Sequence, residues 1–405
     1  MVISTSLSPN TEKDDIVLAL KIIFQPWKWK KGNTTKDLEE QFKKYLGVNH
    51  AFAFNSGRSA FMAILESLEV KDKEILLQAF TCNAAVNPIL KAKAKPVFVD
   101  IDDSLNMDPE DLKKKITSGS RIVIVQHTFG YPAQINEILN IVKESNLILI
   151  EDGAHSLGAK IEGKYCGTFG KASFFSFGRD KVISSIYGGI AITNDLEVAE
   201  KLKQIQAKLQ FPSYFWIFQQ LIHPILMSLF ILPAYSLNSF LGRIVLGGIL
   251  RFSILSKSVY KEEKLGKIPN VFPRKFPNGL AILALNQFGK LERYNSHREK
   301  IAKLYQKAFN MPENKNAIFM RFPILIKTDT DIVLKKARKR KMYLDDGWRK
   351  SVIVPLDTDK RGYYFGGCPQ AEKTAWSVLN LPTHINISEN SAQEIIKFLK
   401  NNKWV

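Results

Sequence analysis

Short apolar runs alternate with amphipathic stretches along the first half of the chain. EILLQ (Glu74 to Gln78), KPVFVDI (Lys95 to Ile101), RIVIVQ (Arg121 to Gln126) and NLILIED (Asn146 to Asp152) read as buried strands. Between them, QINEILNIVKES sets Ile135, Ile138, Leu139 and Val142 at helical spacing, and upstream KDLEEQFKKYL does the same with Leu38, Phe42, Tyr45 and Leu46. ASFFSF (Ala172 to Phe177) and GGIAITN (Gly188 to Asn194) predict two further strands, followed by a helix over about 195–208. Strands and helices in alternation imply parallel strands with crossover helices. The expected class is α/β, with a mostly parallel central sheet flanked by helices.

The alternation then stops. From Leu209 to Gly242 there is no Asp, Glu, Lys or Arg, and Pro224 and Pro233 interrupt the run. A helical pattern resumes at Leu280. The remaining chain mixes a strand pattern (AIFMRFPILI) with helical ones (DIVLKKARKRK, SAQEIIKFLKNN), as in a smaller α+β domain. The expected division is an N-terminal segment (1–34), a large domain (35–208), an apolar insertion (209–255), a return to the large domain (256–295) and a small C-terminal domain (296–405). With 405 residues, two or three such units are the expected number.

Charge and cysteine content narrow the classes. Lys and Arg number 58 against 39 Asp and Glu, a net +19 that favours anionic ligands. Three scattered cysteines (Cys82, Cys166, Cys368) exclude a disulfide scaffold and a CxxC metal pair, and the six histidines lack metal-ligand spacing, so no metal site is expected. The first residues, MVISTSLSPNTEKDD, hold no apolar signal region, which predicts a cytoplasmic protein.

In an open parallel sheet, ligands bind beyond the carboxyl ends of the strands. Asp152 ends one predicted strand and His155 follows it; His127 follows another. SFGRDK places Ser176 at a strand end and Lys181 soon after, ahead of the Gly188–Gly189 pair. NSGRSAF sets Gly57, Arg58 and Ser59 before a helix, where free backbone N–H groups could face a phosphate. Each residue alone fits a plain structural role as a helix cap, a buried histidine or a surface lysine.

Their order is more telling. The stretches AFNSGRSAFMAIL, ILLQAFTCNAAVNPILKAKAKPVFVDID, IEDGAHSLGAKIEGKYCGTFGKASFFSF, DKVISSIYGGIAITND and CPQAEKTAWSVLNLPTH resemble the sugar aminotransferases of the DegT/DnrJ/EryC1/StrS family. These are pyridoxal-phosphate enzymes of fold type I, the aspartate-aminotransferase fold. The resemblance implies Lys181 as the Schiff-base lysine, Asp152 as partner of the pyridine nitrogen and His155 beside the phenolic oxygen. It gives the phosphate to Gly57, Arg58, Ser59 and Ser176. It also implies transfer of an amino group from glutamate to a nucleotide-linked keto-sugar, in surface polysaccharide or glycoconjugate biosynthesis, by a homodimer. Arg58 stands where the family usually has Thr, and Cys82 where it often has a ring-stacking aromatic. Lys181 itself disfavours the dehydratase branch, which has histidine there.

Two alternatives stay open. One is another reaction of the same cofactor on the same fold. The other is a non-catalytic regulator at a membrane surface or on nucleic acid, suggested by the charge and by KKARKRK (Lys335 to Lys341). The solvated face of a helix explains that run, and no nucleic-acid partner is expected. For residues 209–251 the sequence predicts two or three short helices lying in an anionic membrane interface, with Tyr214, Trp216 and Tyr235 at headgroup depth, on the inner face of the cytoplasmic membrane. Burial in the dimer interface is the competing reading.

Overall fold

Seven strands form the main sheet: β1 (His50–Phe54), β2 (Glu74–Gln78), β3 (Lys95–Val99), β4 (Ser120–Gln126), β5 (Ile148–Asp152), β6 (Ala172–Ser176) and β7 (Gly189–Thr193). They lie in the order β1-β7-β6-β5-β4-β2-β3. The pairs from β3 through β2, β4 and β5 to β6 are parallel, while β7 runs antiparallel to both β6 and β1. The computed structural model describes residues 2–355 and 362–405. It has the expected α/β class with a mostly parallel sheet.

Alternation along the strands sorts the core into two layers. Ile75, Leu77, Ile122, Ile124 and Ile150 face one layer with the helices Thr34–Leu46 and Gly57–Ser67. Leu76, Val99, Val123, Val125 and Leu149 face the other, packed by Ile135, Ile138, Ile141 and Val142 of the helix Ile135–Glu144. A separate apolar cluster gathers the C-terminal elements: the strand pair Phe322–Leu325 with Val378–Leu381, and the helices Thr330–Lys339 and Glu389–Asn401. Val333, Leu334 and Ala337 point inward from Thr330–Lys339, so the basic run of that helix occupies its outer face. Two short parallel pairings tie the parts together, Ile3–Ser4 with Met342–Tyr343 and Thr81–Cys82 with Ile353–Val354.

The apolar insertion departs from its sequence reading. The prolines do not divide it into separate interfacial helices. Tyr214–Leu221, His223–Leu226, a π turn at Met227–Ile231 and Leu232–Leu237 follow one another as one helical run. Pro224 and Pro233 sit in the first positions of their segments, where a missing N–H is no loss, and the π turn absorbs the register change. Among the described residues this run of 24 is the one helix long and apolar enough to cross a membrane, yet half of its most apolar window is buried against the protein. Trp216 and Tyr235 are not at headgroup depth. The Trp216 indole lies 5.3 Å from the Tyr187 ring and donates to the Tyr260 hydroxyl at 3.0 Å, and Tyr235 packs edge-on against Tyr343. Tyr214 remains exposed, over Lys30.

Candidate active site

The carboxyl ends of β4, β5 and β6 open onto a cavity of about 290 Å³. Gln126, Asp152 and Ser176 close those strands, and Gly188 precedes β7 at the same edge. The helix Gly57–Ser67 points its N-terminus at them. It can come this close because two glycines meet: a Cβ on Gly189 would lie 2.3 Å from the Gly57 nitrogen, and one on Gly57 would lie 2.8 Å from the Ser176 Cβ. The amides of the first helical turn are thereby brought to the cavity.

Lys181 reaches in from the turn after β6. Its Nζ is 2.8 Å from Nε2 of His155. Nδ1 of His155 accepts the Phe129 amide at 3.3 Å, and the ring stacks on Phe129 and meets the edge of Trp348. A neutral ring so bonded carries its proton on Nε2, the atom facing the lysine. Burial, with Lys181 and Arg321 nearby, holds this imidazole well below its ordinary pKa, so the ring stays neutral. The lysine turn is braced from distant parts of the chain. Asn10 donates to the carbonyls of Lys181 and Val182 at 2.5 and 3.2 Å, Arg298 donates to the Val182 carbonyl at 2.6 Å, and Arg321 bridges Asp180 and Asp346.

Asp152 stands at the inner end of the cavity. One oxygen accepts the Ala154 amide at 2.9 Å, and the other has no partner among the described residues. Burial pushes its carboxyl up to about 6, against the pull of the Ala154 amide and Lys181. Its neighbour Glu151 points to the opposite face of the sheet, where it accepts the amides of Gly167, Phe169 and Gly170 at 2.6, 2.6 and 2.8 Å. His127, singled out by its strand-end position, faces Glu151 at 3.1 Å and is fully buried away from the cavity. It belongs to the core.

Two expectations for the phosphate end need correction. The Arg58 guanidinium does not stand free. It pairs with buried Glu263 and stacks 4.9 Å over Phe272, so its charge is already matched. Ser59 is fully buried behind the turn, its amide bonded to Ser56 Oγ at 3.0 Å and its hydroxyl donating to Asn55 Oδ1 at 2.8 Å. Gly57, Arg58 and Ser176 remain among the residues that line the cavity. A guanidinium without a carboxylate partner among the described residues is that of Arg179, which also lines the cavity; it donates to the Ser256 carbonyl and hydroxyl at 2.7 and 2.6 Å, and its Nε is unbonded. Sequence reasoning missed Gln126, Arg179, Tyr187, Ser258 and Val259. Gln126 obeys the strand-end rule that found Asp152, while the others depend on contacts made far along the chain.

This donor set suits pyridoxal phosphate. A lysine amine, a buried carboxylate with an open oxygen, a neutral histidine and a helix N-terminus beside an unmatched guanidinium converge on one cavity.

Comparisons with known proteins agree. The profile of the DegT/DnrJ/EryC1/StrS aminotransferase family matches residues 10–210 and 257–400, on either side of the apolar insertion. An uncharacterized protein of Methanocaldococcus jannaschii is 27% identical over 91% of this chain and 90% of its own length. The GDP-perosamine synthase of Escherichia coli O157:H7 is 35% identical over 42% of this chain and 47% of that protein, so the match spans about half of this relative. Among solved structures, Helicobacter pylori PseC, an aminotransferase involved in the biosynthesis of pseudoaminic acid, superposes with a TM-score of 0.76 over 99% of both chains, at 20% identity.

Proposed function

The chain belongs to the DegT/DnrJ/EryC1/StrS aminotransferase family, and from that premise we propose that it moves an amino group from glutamate onto a nucleotide-linked keto-sugar for a surface polysaccharide or glycoconjugate. It is a pyridoxal-phosphate-dependent aminotransferase, and GDP-perosamine synthases and an altrosamine transaminase of Campylobacter jejuni are among its relatives. The observation that carries the aminotransferase reading is the convergence of Lys181, His155 and Asp152 on the cavity at the sheet's carboxyl edge, and the sugar acceptor is supported by the family and its nucleotide-sugar relatives.

Pyridoxal phosphate, when bound, supplies an aldehyde that accepts the amino group and a ring that takes up the electrons freed when a proton leaves the amino-bearing carbon. The protein's residues do the rest. Lys181 would carry the cofactor and, once released by the amino donor, move a proton with its Nζ. His155 holds that amine in place with Nε2. Asp152, ionised at neutral pH, would hold a positive charge at the inner end of the cavity. Gly57, the Arg58 amide, Ser176 and Arg179 would anchor the phosphate, and Phe129 and Trp348 pack on the His155 ring and fix its orientation. The same proposal makes the working form a homodimer in the cytoplasm. It places it peripherally on the inner membrane face through residues 209–251, a location supported by the insertion's exposed apolar side chains.

A single-turnover experiment tests the reaction. Glutamate added to the cofactor-loaded protein is expected to yield one 2-oxoglutarate per site, and a nucleotide-linked keto-sugar is then expected to take up the amine, read by mass spectrometry. Failure to release 2-oxoglutarate would rule out glutamate-dependent transamination. Release without amination of any nucleotide-linked keto-sugar would point to a different acceptor.

A further inference from the structure

The insertion has two sides. The inner side of its first helical run packs into the protein through Trp216, Ile217, Leu221, Met227 and Ile231. This rules out crossing a bilayer without tearing the core. The helix that follows, Ser239–Arg251, is different: of its residues only Gly242 is buried, set against the Tyr235 ring. Leu229, Phe230, Leu237, Phe240, Ile244 and Phe252 stand exposed along this part of the molecule. Val245, Leu246, Ile249 and Leu250 pack half-buried on the cluster of Met227, Ile231 and Tyr235, so one face of this apolar helix is held while its other face stands poorly matched to water. The charge pattern indicates what covers it. From Leu209 to Lys261 there is no Asp or Glu, while Arg243, Arg251, Lys257 and Lys261 are present. Apolar side chains fringed by cations and free of acids complement an anionic lipid surface.

This half-exposed helix leads directly into the wall of the active-site cavity. Ser256 donates to Gln220 Oε1 at 2.7 Å and accepts from Arg179, and Gln219 donates to the Ser253 carbonyl at 2.6 Å. Tyr187 donates its hydroxyl to the carbonyls of Lys257 and Ser258, and Ser258 and Val259 line the cavity. We propose that the exposed face of the insertion docks in an anionic phospholipid surface, and that docking fixes the segment 253–259 that walls the cavity. The second half of this inference rests on the cavity being the site of the reaction.

The test uses the full-length, cofactor-loaded protein with vesicles of phosphatidylcholine alone or mixed with phosphatidylglycerol. Flotation is expected with the anionic vesicles, weakening as salt is raised. Amide exchange over 253–259 is expected to slow roughly tenfold on docking. F240E/I244E, and F252E separately, are expected to cut flotation about tenfold while retaining the melting temperature. Absence of flotation, or flotation indifferent to lipid charge and to these variants, overturns the docking surface. Flotation with unchanged exchange over 253–259 overturns the coupling. A dimer that F240E/I244E converts to monomer without lipid assigns the face to a second copy instead. Neither readout involves transamination, so a protein that floats but transfers no amine refutes the proposed reaction and leaves the docking surface standing.

Discussion

Glu151 and Asp152 are adjacent in β5 and face opposite sides of the sheet. On the Glu151 side, a fully buried carboxylate receives three backbone amides and faces the His127 ring. On the Asp152 side, a nearly buried carboxylate accepts one amide and turns its other oxygen to a cavity. Both side chains are buried, Glu151 fully and Asp152 nearly so, and what separates them is the supply of donors. A carboxylate saturated by the fold's own amides holds loops together; one left short of donors is available to a ligand.

The largest expected effect comes from Glu151→Ala, which orphans three backbone amides, one buried and two half-buried. It should lower stability by about 5 kcal/mol, read by chemical denaturation. Full stability in that variant would erase the distinction between the two faces. Next comes Asp152→Asn, expected to melt no earlier than the parent protein while kcat/KM falls about a hundredfold to a thousandfold. A variant that melted early yet turned over normally would make Asp152 another structural carboxylate. The pH dependence of the cofactor-free protein should sharpen the contrast further. Asp152 is held near 6 when folded and returns to an ordinary carboxylate value when unfolded, so between about pH 4 and 6 the folded state binds the extra proton. Stability therefore falls as pH rises through that window, by up to about 3 kcal/mol, and the loss is absent from Asp152→Asn. The difference between the two proteins' denaturation curves at pH 4 and 7 measures it. Smallest is His127→Phe, which removes the ring nitrogens facing Glu151 and the Ala133 amide and should cost about 1–2 kcal/mol with kcat unchanged.

Six of the seven sheet strands were legible as apolar runs. β1 was not read, although HAFAF alternates, because it is only partly covered on one side and has no long aliphatic residue to mark it. Lys181, Asp152 and His155 were legible because the family order and the strand-end rule pick them out. Glu151 was hidden beside Asp152, since nothing in a two-residue acidic step says which one faces the ligand until the strand's phase is fixed. Arg58 was misread because its partner, Glu263, arrives far along the chain, past the insertion. The prolines of the insertion were misread for a local reason. Proline ends a helix by sterics at the preceding turn; the π turn before Pro233 relieves that clash, and Pro224 falls just after a turn at Ile222, so neither ends the run.

The bracing of the lysine turn sets an order on biosynthesis. Asn10 leaves the ribosome early, but Arg298, Arg321 and Asp346 emerge long after Lys181 itself. During translation the turn, with its reactive amine and basic neighbours, is complete in covalent terms and unsupported in three dimensions. The nascent chain is thus expected to remain unable to hold its cofactor until its last quarter has been made. A truncated product, even one containing the whole main sheet, would carry the lysine without the geometry that makes it useful.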